Sequence, residues 1–167
     1  MSTLGRKSVY IAGALTDMSS DKREQLRRFY ESLADICREF GLDPYLPHQH
    51  ADPETIKDLT PHRVDQLDRL AVTQAYLVVA YVGITSVGVG IEIEIANHAN
   101  KPVVILAEKS RLESRHVSRL VRGNPAVRAE IAFDDFEDAK FKLHGFLQTF
   151  HEAMSADELP KPLRIEL

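Results

Sequence analysis

The sequence has one cysteine and no long hydrophobic run, and both shortages limit what the chain can be. Cys37 alone cannot form an internal disulfide or a cysteine-based metal cluster, and a lone thiol suits a reducing cytoplasm. No stretch approaches the roughly 20 apolar residues of a membrane-spanning helix. Residues 9–15 are apolar and follow Arg6 and Lys7, as in a signal peptide, but the run is short and a helix start follows at once. We interpret this run as the first core strand.

An excess of positive charge is also lacking. The chain has 21 Lys and Arg against 25 Asp and Glu, a net charge of −4, which gives no global electrostatic reason to bind a nucleic-acid polymer or an anionic membrane. Its 167 residues, 44% hydrophobic and 28% charged, are typical of one globular domain. No internal repeat or linker divides it. We predict a domain over residues 1–154 and a C-terminal tail over residues 155–167.

Short apolar runs alternate with stretches of helical periodicity. The runs predict five strands, at residues 8–14, 42–46, 77–82, 103–106 and 127–133. The periodic stretches between them predict helices, among them a short basic helix at 114–121. Asp21 and Glu24 have the spacing of a capping box, Gly41 stands where a left-handed cap belongs, and the polar segment 47–53 is expected to stay irregular. The alternation predicts an α/β domain, Rossmann-like (flavodoxin-like), with three layers and a roughly five-stranded parallel sheet.

A glycine-containing turn follows the strand at 77–82. Ser86, Gly88 and Gly90 occupy it, and glycine allows backbone angles and close approaches that other residues resist. No Gly-Lys-Ser/Thr follows, so the turn is not a P-loop. It also lacks the third glycine of the dinucleotide fingerprint and does not follow the first strand, which disfavours a dinucleotide-dependent oxidoreductase. Ligands nevertheless bind at this carboxyl edge of parallel sheets.

Glu92 is the candidate catalytic carboxylate. It follows the turn and would lie in the first turn of a helix, where the helix dipole favours an anion by roughly 0.3–1 kcal/mol. A carboxylate would repel a phosphate, so it suits an electron-poor carbon, such as the anomeric carbon of a sugar, as nucleophile or as stabiliser of an oxocarbenium-like transition state. From spacing alone, an ordinary surface acid remains the alternative. The buried face of this helix is expected to carry Ile91, Ile95, Ala96 and Ala99.

Other polar residues give weaker signals. Asp68, taken alone, has the pattern of a solvated helix acid. A metal site is not favoured, because nothing fixes the loop that carries the histidines and no helical i, i+4 pair exists; the residues considered are His48, His50, Asp52 and His62. Four arginines are expected to share one helical face, solvated by default but able to reach an anionic ligand or a partner subunit: Arg111, Arg115, Arg119 and Arg122.

Four patches in order resemble the nucleoside 2-deoxyribosyltransferase family, and especially its 2′-deoxynucleoside 5′-phosphate N-hydrolase branch. The first is residues 10–13, read as YIAG, whose tyrosine lies in the family's active site. Asp68 stands 24 residues before Glu92, the spacing of the family's active-site aspartate. Residues 86–92, read as SVGVGIE, match the signature whose glutamate is the nucleophile, and residues 116–123 resemble a segment whose serine reaches a neighbouring subunit. The similarity covers roughly residues 8–150.

The resemblance implies a reaction and a set of roles. Glu92 would attack C1′ and release the base, and water or a second base would then release the sugar. Asp68 would position the sugar or handle the proton of the departing base, and Tyr10 would orient the carboxylate. The substrate-binding residues would be Gly13, Ala14, Ser86, Gly88, Gly90 and, from a neighbouring subunit, Ser118. The resemblance implies no metal or organic cofactor, a small nucleoside or nucleotide substrate, and a homodimer or dimer of dimers with shared active sites.

Two departures from the hydrolase branch leave the substrate open. Ala14 and Thr16 stand where that branch carries a serine and an arginine that serve the phosphate. Losing a charge-assisted bond to phosphate costs on the order of 1.5–3 kcal/mol. The substrate is therefore a nucleoside, a differently bound nucleotide or a related N-riboside, and hydrolysis and base transfer both stay open. A nucleotide-sensing module without turnover is the alternative from another class.

Overall fold

The computed structural model describes residues 7–51 and 56–155, with side chains to residue 153. The five strands are β1 (Ser8–Ala12), β2 (Asp43–Tyr45), β3 (Leu77–Tyr81), β4 (Val103–Glu108) and β5 (Val127–Phe133). The helices are α1 (Ser20–Glu39), α2 (Pro47–Ala51), α3 (Pro61–Gln74), α4 (Val87–His98), α5 (Lys109–Glu113), α6 (Arg119–Arg122) and α7 (Phe136–Ser155). None of these helices is long and apolar enough to cross a membrane. Apart from Ser155, the expected C-terminal tail lies outside the described residues.

The five strands form one parallel sheet, which confirms the predicted fold class. Their order is β2-β1-β3-β4-β5, and every neighbouring pair runs parallel. This is the flavodoxin-like order, in which the chain reverses its direction of travel across the sheet between β1 and β3. A crevice for ligands opens at that switch point, beyond the carboxyl ends of the two strands.

The inner strands β1, β3 and β4 are buried on both faces of the sheet, as their continuous apolar sequences require. All five residues of β3 are buried. Successive side chains of β1 point to opposite faces, so Val9 and Ile11 join the core under α1 and α7. Tyr10 and Ala12 join the core under α3 and α4. On the α1 side, Tyr81 of β3 is 1% exposed.

The helix ends agree with the sequence in two places and differ in one. Gly41 adopts the predicted left-handed conformation, with φ of 71°, just after α1. A threonine followed by a proline is typical of a helix start, and Thr60, which precedes Pro61, caps α3 by accepting a hydrogen bond from the Arg63 amide. The prediction of a capping box at Asp21 is wrong. Ser19 caps α1 by accepting a 3.3 Å hydrogen bond from the Lys22 amide, so the helix begins earlier and Asp21 lies inside its first turn.

The segment expected to stay irregular contains a short helix. Residues 47–51 form α2, and the other residues of that segment, 52 and 53, lie outside the described chain. Proline is tolerated at the first helical position because its missing N–H needs no partner there. The ring of His50 stacks on Tyr45 of β2 at 4.3 Å between centroids, which packs α2 against the sheet edge.

The predicted basic helix at 114–121 is also wrong. The chain forms α5 and α6 instead, and between them Arg115 has a positive φ of 60°. Val117 is only 3% exposed, and inserting it into the core interrupts the helix. The four arginines therefore share no common face. Arg122 instead forms two hydrogen bonds of 2.6 and 2.7 Å with the Glu130 carboxylate, which fastens α6 to β5.

Candidate active site

A cavity of about 350 Å³ lies at the switch point of the sheet. Its walls come from the β1–α1 connection and from α1, α2, α3 and α4. Six of the predicted site residues line it: Gly13, Ala14, Asp68, Ser86, Gly88 and Glu92. Tyr10 reaches Glu92 from β1. Neither Gly90 nor Ser118 is among the lining residues, so the structure gathers most of the predicted site but not all of it.

Helix α4 carries Glu92 and begins earlier than the sequence suggests. Ser86 caps it, because its hydroxyl accepts a 3.3 Å hydrogen bond from the Val89 amide. Gly88 and Gly90 are therefore helical rather than part of a turn, and neither has a positive φ. The expectation that they supply unusual backbone angles is wrong. Gly88 instead leaves space, since a Cβ there would approach only Ser86 Oγ, at 3.7 Å.

The early start moves Glu92 into the second turn of α4, so the expected first-turn position and its dipole contribution are wrong. The buried face also shifts. Val89, Ile93 and Ala96 face the core, whereas Ile91 is 48% exposed. At 100° per residue, Glu92 lies beside this buried stripe rather than opposite it. Its carboxylate is therefore half-buried and turned toward the sheet.

Glu92 and Tyr10 form the central contact of the site. The Tyr10 hydroxyl donates a 2.6 Å hydrogen bond to Oε1 of Glu92. Burial raises the pKa of Glu92 to about 7, the Tyr10 hydrogen bond lowers it and the negative charge of Asp68 adds to the rise. Burial and the two carboxylates also hold the pKa of the Tyr10 hydroxyl far above its ordinary value, so it remains a donor at neutral pH.

Asp68 faces the cavity from α3. Burial raises the pKa of its carboxyl; the Tyr10 hydroxyl and His50 lower it, and Asp65 raises it. Its Oδ1 is buried and has no hydrogen-bond partner among the described residues, which leaves an acceptor available to a ligand. Asp65 differs, because it is exposed and forms an ion pair with Arg69 at 2.9 Å. Asp68 is thus not the solvated helix acid that its pattern alone suggests.

Helix α1 fixes the β1–α1 connection. The Tyr30 hydroxyl donates a 2.9 Å hydrogen bond to the Ala14 carbonyl. Gly13 packs against the same ring so closely that a Cβ there would lie 2.2 Å from Tyr30 Cζ. The Nε of Arg23 donates to the Leu15 carbonyl at 3.0 Å. This wall of the cavity is therefore formed by a tightly held backbone.

Sequence reasoning missed several charged or polar residues in the cavity wall, among them Asp17 of the β1–α1 connection. Arg23 and Arg27 of α1 and His48 of α2 also line the cavity. The arginines are four residues apart on the helix that follows the switch point, a spacing the sequence displays. His48 was considered only as a metal ligand; its Nε2 lies 3.4 Å from Glu31 Oε1. Across the described residues, no group of three or more His, Cys, Asp or Glu is placed to hold a metal ion.

No family model matches the chain. A curated relative from Thermofilum pendens, provisionally named 2′-deoxynucleoside 5′-phosphate N-hydrolase 1, is 37% identical over 92 residues. That match covers 54% of this chain and 63% of the relative, so the chain spans less than two thirds of the relative's length.

Solved structures share the fold. The CMP N-glycosidase BcmB of Clostridium botulinum is 22% identical with a TM-score of 0.64, over 84% of this chain and 99% of that one. The 2-deoxyribosyltransferase of Bacillus psychrosaccharolyticus is 17% identical with a TM-score of 0.56, over 80% and 90%. Fold and cavity thus define a flavodoxin-like α/β protein with paired carboxylates at its switch point. The curated relative confirms the resemblance to the nucleoside 2-deoxyribosyltransferase family, and the solved structures confirm the fold.

Proposed function

We propose that the protein breaks the N-glycosidic bond of a ribo- or deoxyribonucleoside, or of its 5′-monophosphate, and releases the free base. The observation that carries this proposal is the half-buried Glu92 carboxylate, held by Tyr10 in a cavity that it shares with Asp68. The relatives are named as an N-hydrolase, a CMP N-glycosidase and a deoxyribosyltransferase. Enzymes of these kinds break or re-form this bond, which supports the proposal.

In the first step, a carboxylate oxygen of Glu92 attacks C1′ of the sugar. The C1′–N bond breaks, its electron pair leaves with the base, and an ester joins Glu92 to C1′. The Tyr10 hydroxyl bonds one carboxylate oxygen and so orients the group toward the cavity. Asp68, whose carboxyl pKa is raised by burial, supplies the proton that neutralises the departing base.

In the second step, water attacks C1′ and displaces the Glu92 carboxylate. The proton of that water passes to Asp68, which restores both carboxyl groups to their starting states. If a second base replaces the water, the same ester yields a new nucleoside and the protein is a deoxyribosyltransferase. The two reactions differ only in the acceptor, so the residues of the cavity serve either one.

A panel assay tests the proposal and separates these outcomes. Purified protein is incubated with ribo- and deoxyribonucleosides and their 5′-monophosphates, with and without an acceptor base. Free base formed in water alone indicates the hydrolase, and exchange that requires the acceptor indicates the transferase. Glu92→Gln should abolish either activity. A wild-type protein that binds these compounds without turning any of them over would instead support the nucleotide-sensing alternative.

We also propose a homodimer, or a dimer of dimers, in which Ser118 of one copy completes the site of another. Ser118 is exposed at the start of α6 and does not line the cavity of its own chain. Large apolar side chains are exposed on α3, α4 and α6, as a subunit interface requires: Leu70, Val87, Ile91 and Leu120. Sedimentation should show an oligomer, and Ile91→Asp should weaken it. Mixing Ser118→Ala with Glu92→Gln should restore activity, since one hybrid site then contains both residues.

A cytoplasmic location likewise remains a proposal. Its support is Cys37, a buried free thiol with a pKa raised by burial to about 12. Such a thiol is unreactive and needs no oxidising compartment.

A further inference from the structure

Two buried polar atoms near Glu92 have no hydrogen-bond partner among the described residues. One is the hydroxyl oxygen of Tyr45, on the edge strand β2, and the other is Oδ1 of Asp68, on α3. Burial and the nearby charge of Asp68 raise the pKa of the Tyr45 hydroxyl, so it stays protonated at neutral pH. An unpaired hydrogen-bond donor therefore lies close to an unpaired acceptor.

The sheet holds Tyr45 beside Tyr10. The two tyrosines are register partners on the parallel strands β2 and β1, and their rings stack at 5.6 Å between centroids with 15° between planes. The ring of His50 covers the other face of Tyr45 at 4.3 Å. Because both faces of the Tyr45 ring are covered, its hydroxyl is fixed next to the Tyr10 hydroxyl, which interacts with both carboxyl groups of the site.

A single water molecule can join the two unpaired atoms. Buried polar groups in proteins are nearly always paired, and those without a protein partner are commonly bridged by an ordered water. A water that accepts a hydrogen bond from the Tyr45 hydroxyl and donates one to Oδ1 of Asp68 satisfies both groups at once.

Such a donor decides which oxygen of Asp68 carries the acidic proton. A protonated carboxyl group has one O–H donor and one acceptor oxygen. A hydrogen bond delivered to Oδ1 makes that oxygen the acceptor, so the proton stays on Oδ2. Asp68 lines the cavity, and a proton on Oδ2 is then available to a base bound there.

We propose that Tyr45 is a positioning residue for Asp68: through one bridging water its hydroxyl donates to Oδ1 and keeps the acidic proton on Oδ2, where it protonates the departing base. The inference rests on the proposed function, which makes Asp68 the acid. The Oδ2 proton passes to a nitrogen of the base as the C1′–N electron pair leaves with the base. The water on Oδ1 stabilises the carboxylate that remains. Each of the two stacked tyrosines thus serves one carboxyl group, Tyr10 that of Glu92 and Tyr45 that of Asp68.

The competing explanation is that Tyr45 is only a spacer between the rings of Tyr10 and His50. In that case the ring alone matters, and Tyr45→Phe, which keeps the ring, changes no rate. A general loosening of the site would instead slow every substrate by the same factor. The proposed bond reaches Asp68 and not Glu92, so the acid limb of the pH profile of kcat/KM, which Glu92 sets, should stay in place in Tyr45→Phe. A limb displaced as far as in Tyr10→Phe would overturn the inference.

Substrates that differ in their need for a proton provide the kinetic test. A nucleobase is a poor leaving group unless it is protonated, whereas 4-nitrophenolate leaves without a proton. The measurement is kcat/KM for the preferred compound of the panel and for the 4-nitrophenyl glycoside of the same sugar or sugar phosphate. We expect Tyr45→Phe to lower kcat/KM about tenfold for the natural compound and less than about twofold for the glycoside.

Tyr76→Phe is the matched control for this variant. It also removes a buried hydroxyl that has no hydrogen-bond partner in the described part of the chain. Tyr76, however, packs on Phe150 in the core under α1 and α7, on the other face of the sheet from Tyr45. Neither substrate should be affected by its replacement. If Tyr76→Phe produces the same selective loss as Tyr45→Phe, the inference is overturned.

A crystal structure of the wild-type protein tests the contact itself. We expect one ordered water within hydrogen-bond distance of both the Tyr45 hydroxyl and Oδ1 of Asp68, and we expect its loss in Tyr45→Phe. Another partner for either atom, or no water between them, would overturn the inference whatever the rates show.

Failure of this inference is distinguishable from failure of the proposed function. An active wild-type protein whose Tyr45→Phe variant loses nothing, or loses the same factor on both substrates, overturns the inference while the proposed function stands. A wild-type protein that releases no base from any compound of the panel refutes the proposed function, and the role of Tyr45 in protonating the base with it.

Discussion

The Tyr10 hydroxyl donates a 2.6 Å hydrogen bond to Oε1 of Glu92 and so joins strand β1 to helix α4 across 82 positions of the chain. Two opposing effects meet at this contact. The hydrogen bond stabilises the ionised carboxylate, whereas burial and the charge of Asp68 favour its protonated form. The effect of each neighbouring residue can therefore be measured as a change in the pKa of Glu92.

Replacing Glu92 with glutamine should stabilise the protein at pH 8. The pKa of Glu92 is raised from 4.5 to about 7 in the folded state, so the folded protein holds this proton more tightly than the unfolded chain does. Stability linked to Glu92 is complete below pH 4.5 and is lost as pH rises through 7. We expect Glu92→Gln to gain about 2–3 kcal/mol at pH 8 and almost nothing at pH 4.5, by urea denaturation.

The control for that experiment is Glu94→Gln. Glu94 lies on the exposed side of α4, where hydrogen bonds from Asn97 and Asn124 lower its pKa. Its stability effect should have the opposite sign to that of Glu92→Gln. A stability difference for Glu92→Gln that does not change between pH 4.5 and pH 8 would contradict the assigned pKa.

Tyr10→Phe should raise the pKa of Glu92 above about 7, because it removes the hydrogen bond that favours the carboxylate. The acid limb of the pH profile of kcat/KM should move to higher pH, and an NMR titration of the side-chain carboxyl should move with it. Tyr45→Phe is a suitable control, since the buried Tyr45 hydroxyl has no hydrogen-bond partner in the described part of the chain. If both variants shift the limb equally, the Tyr10 contact does not set this pKa.

Asp68→Asn should move the same limb in the other direction. The ionised form of Asp68 opposes ionisation of Glu92, and asparagine cannot ionise, so the pKa of Glu92 should fall. The proposed proton transfer also predicts a fall in kcat of about 100-fold or more. Asp65→Asn, one helical turn away and exposed, should leave kcat nearly unchanged. A shifted pH profile with an unchanged kcat would leave Asp68 an electrostatic role but no role in proton transfer.

Two glycine substitutions should have opposite effects on stability. In Gly13→Ala the new methyl group would meet Tyr30 Cζ at 2.2 Å, so the free energy of unfolding should fall by roughly 1–3 kcal/mol. In Gly90→Ala nothing lies within 4 Å of the new methyl group, so the helix should gain about 0.5–1 kcal/mol. Full activity in Gly90→Ala would argue against the expected contact between Gly90 and the substrate.

The fold could be predicted because its signals are local. Strands β1, β3 and β4 are short apolar runs buried on both faces, and such runs are visible in the sequence alone. Helix boundaries were harder to predict, since a single side-chain hydroxyl that caps a helix can decide where it begins. Ser19 and Ser86 each begin a helix earlier than the apolar pattern indicates. In α4, Gly88 and Gly90 indicated a non-helical turn where the first turn of the helix lies. The predicted buried face of α4 and the predicted position of Glu92 on it were therefore wrong.

The site was predictable in part, and only through matched motifs. Tyr10, Asp68 and Glu92 lie on three different elements, and no periodicity in the sequence relates them. The motifs place them together, and the structure brings the three within one site. Arg23 and Arg27 were missed because α1 was assessed by its apolar stripe. Which polar side chains of an amphipathic helix face a cavity depends on the elements packed beside it, α2 and the β1–α1 connection in this case.

The buried tyrosines around the sheet also set an alkaline limit for the fold. Burial holds the hydroxyl pKa of Tyr10, Tyr30 and Tyr81 above the ordinary value of 10 in the folded protein. The unfolded chain would release these three protons as pH rises past about 10, so stability should fall by about 4 kcal/mol per pH unit beyond that point. The chain has no tryptophan to obscure tyrosine absorbance, and tyrosinate from Tyr10, Tyr30 and Tyr81, three of its five tyrosines, should appear in one cooperative step as the molecule unfolds. The same packing that keeps Tyr10 a hydrogen-bond donor to Glu92 thus makes ultraviolet absorbance a direct record of unfolding.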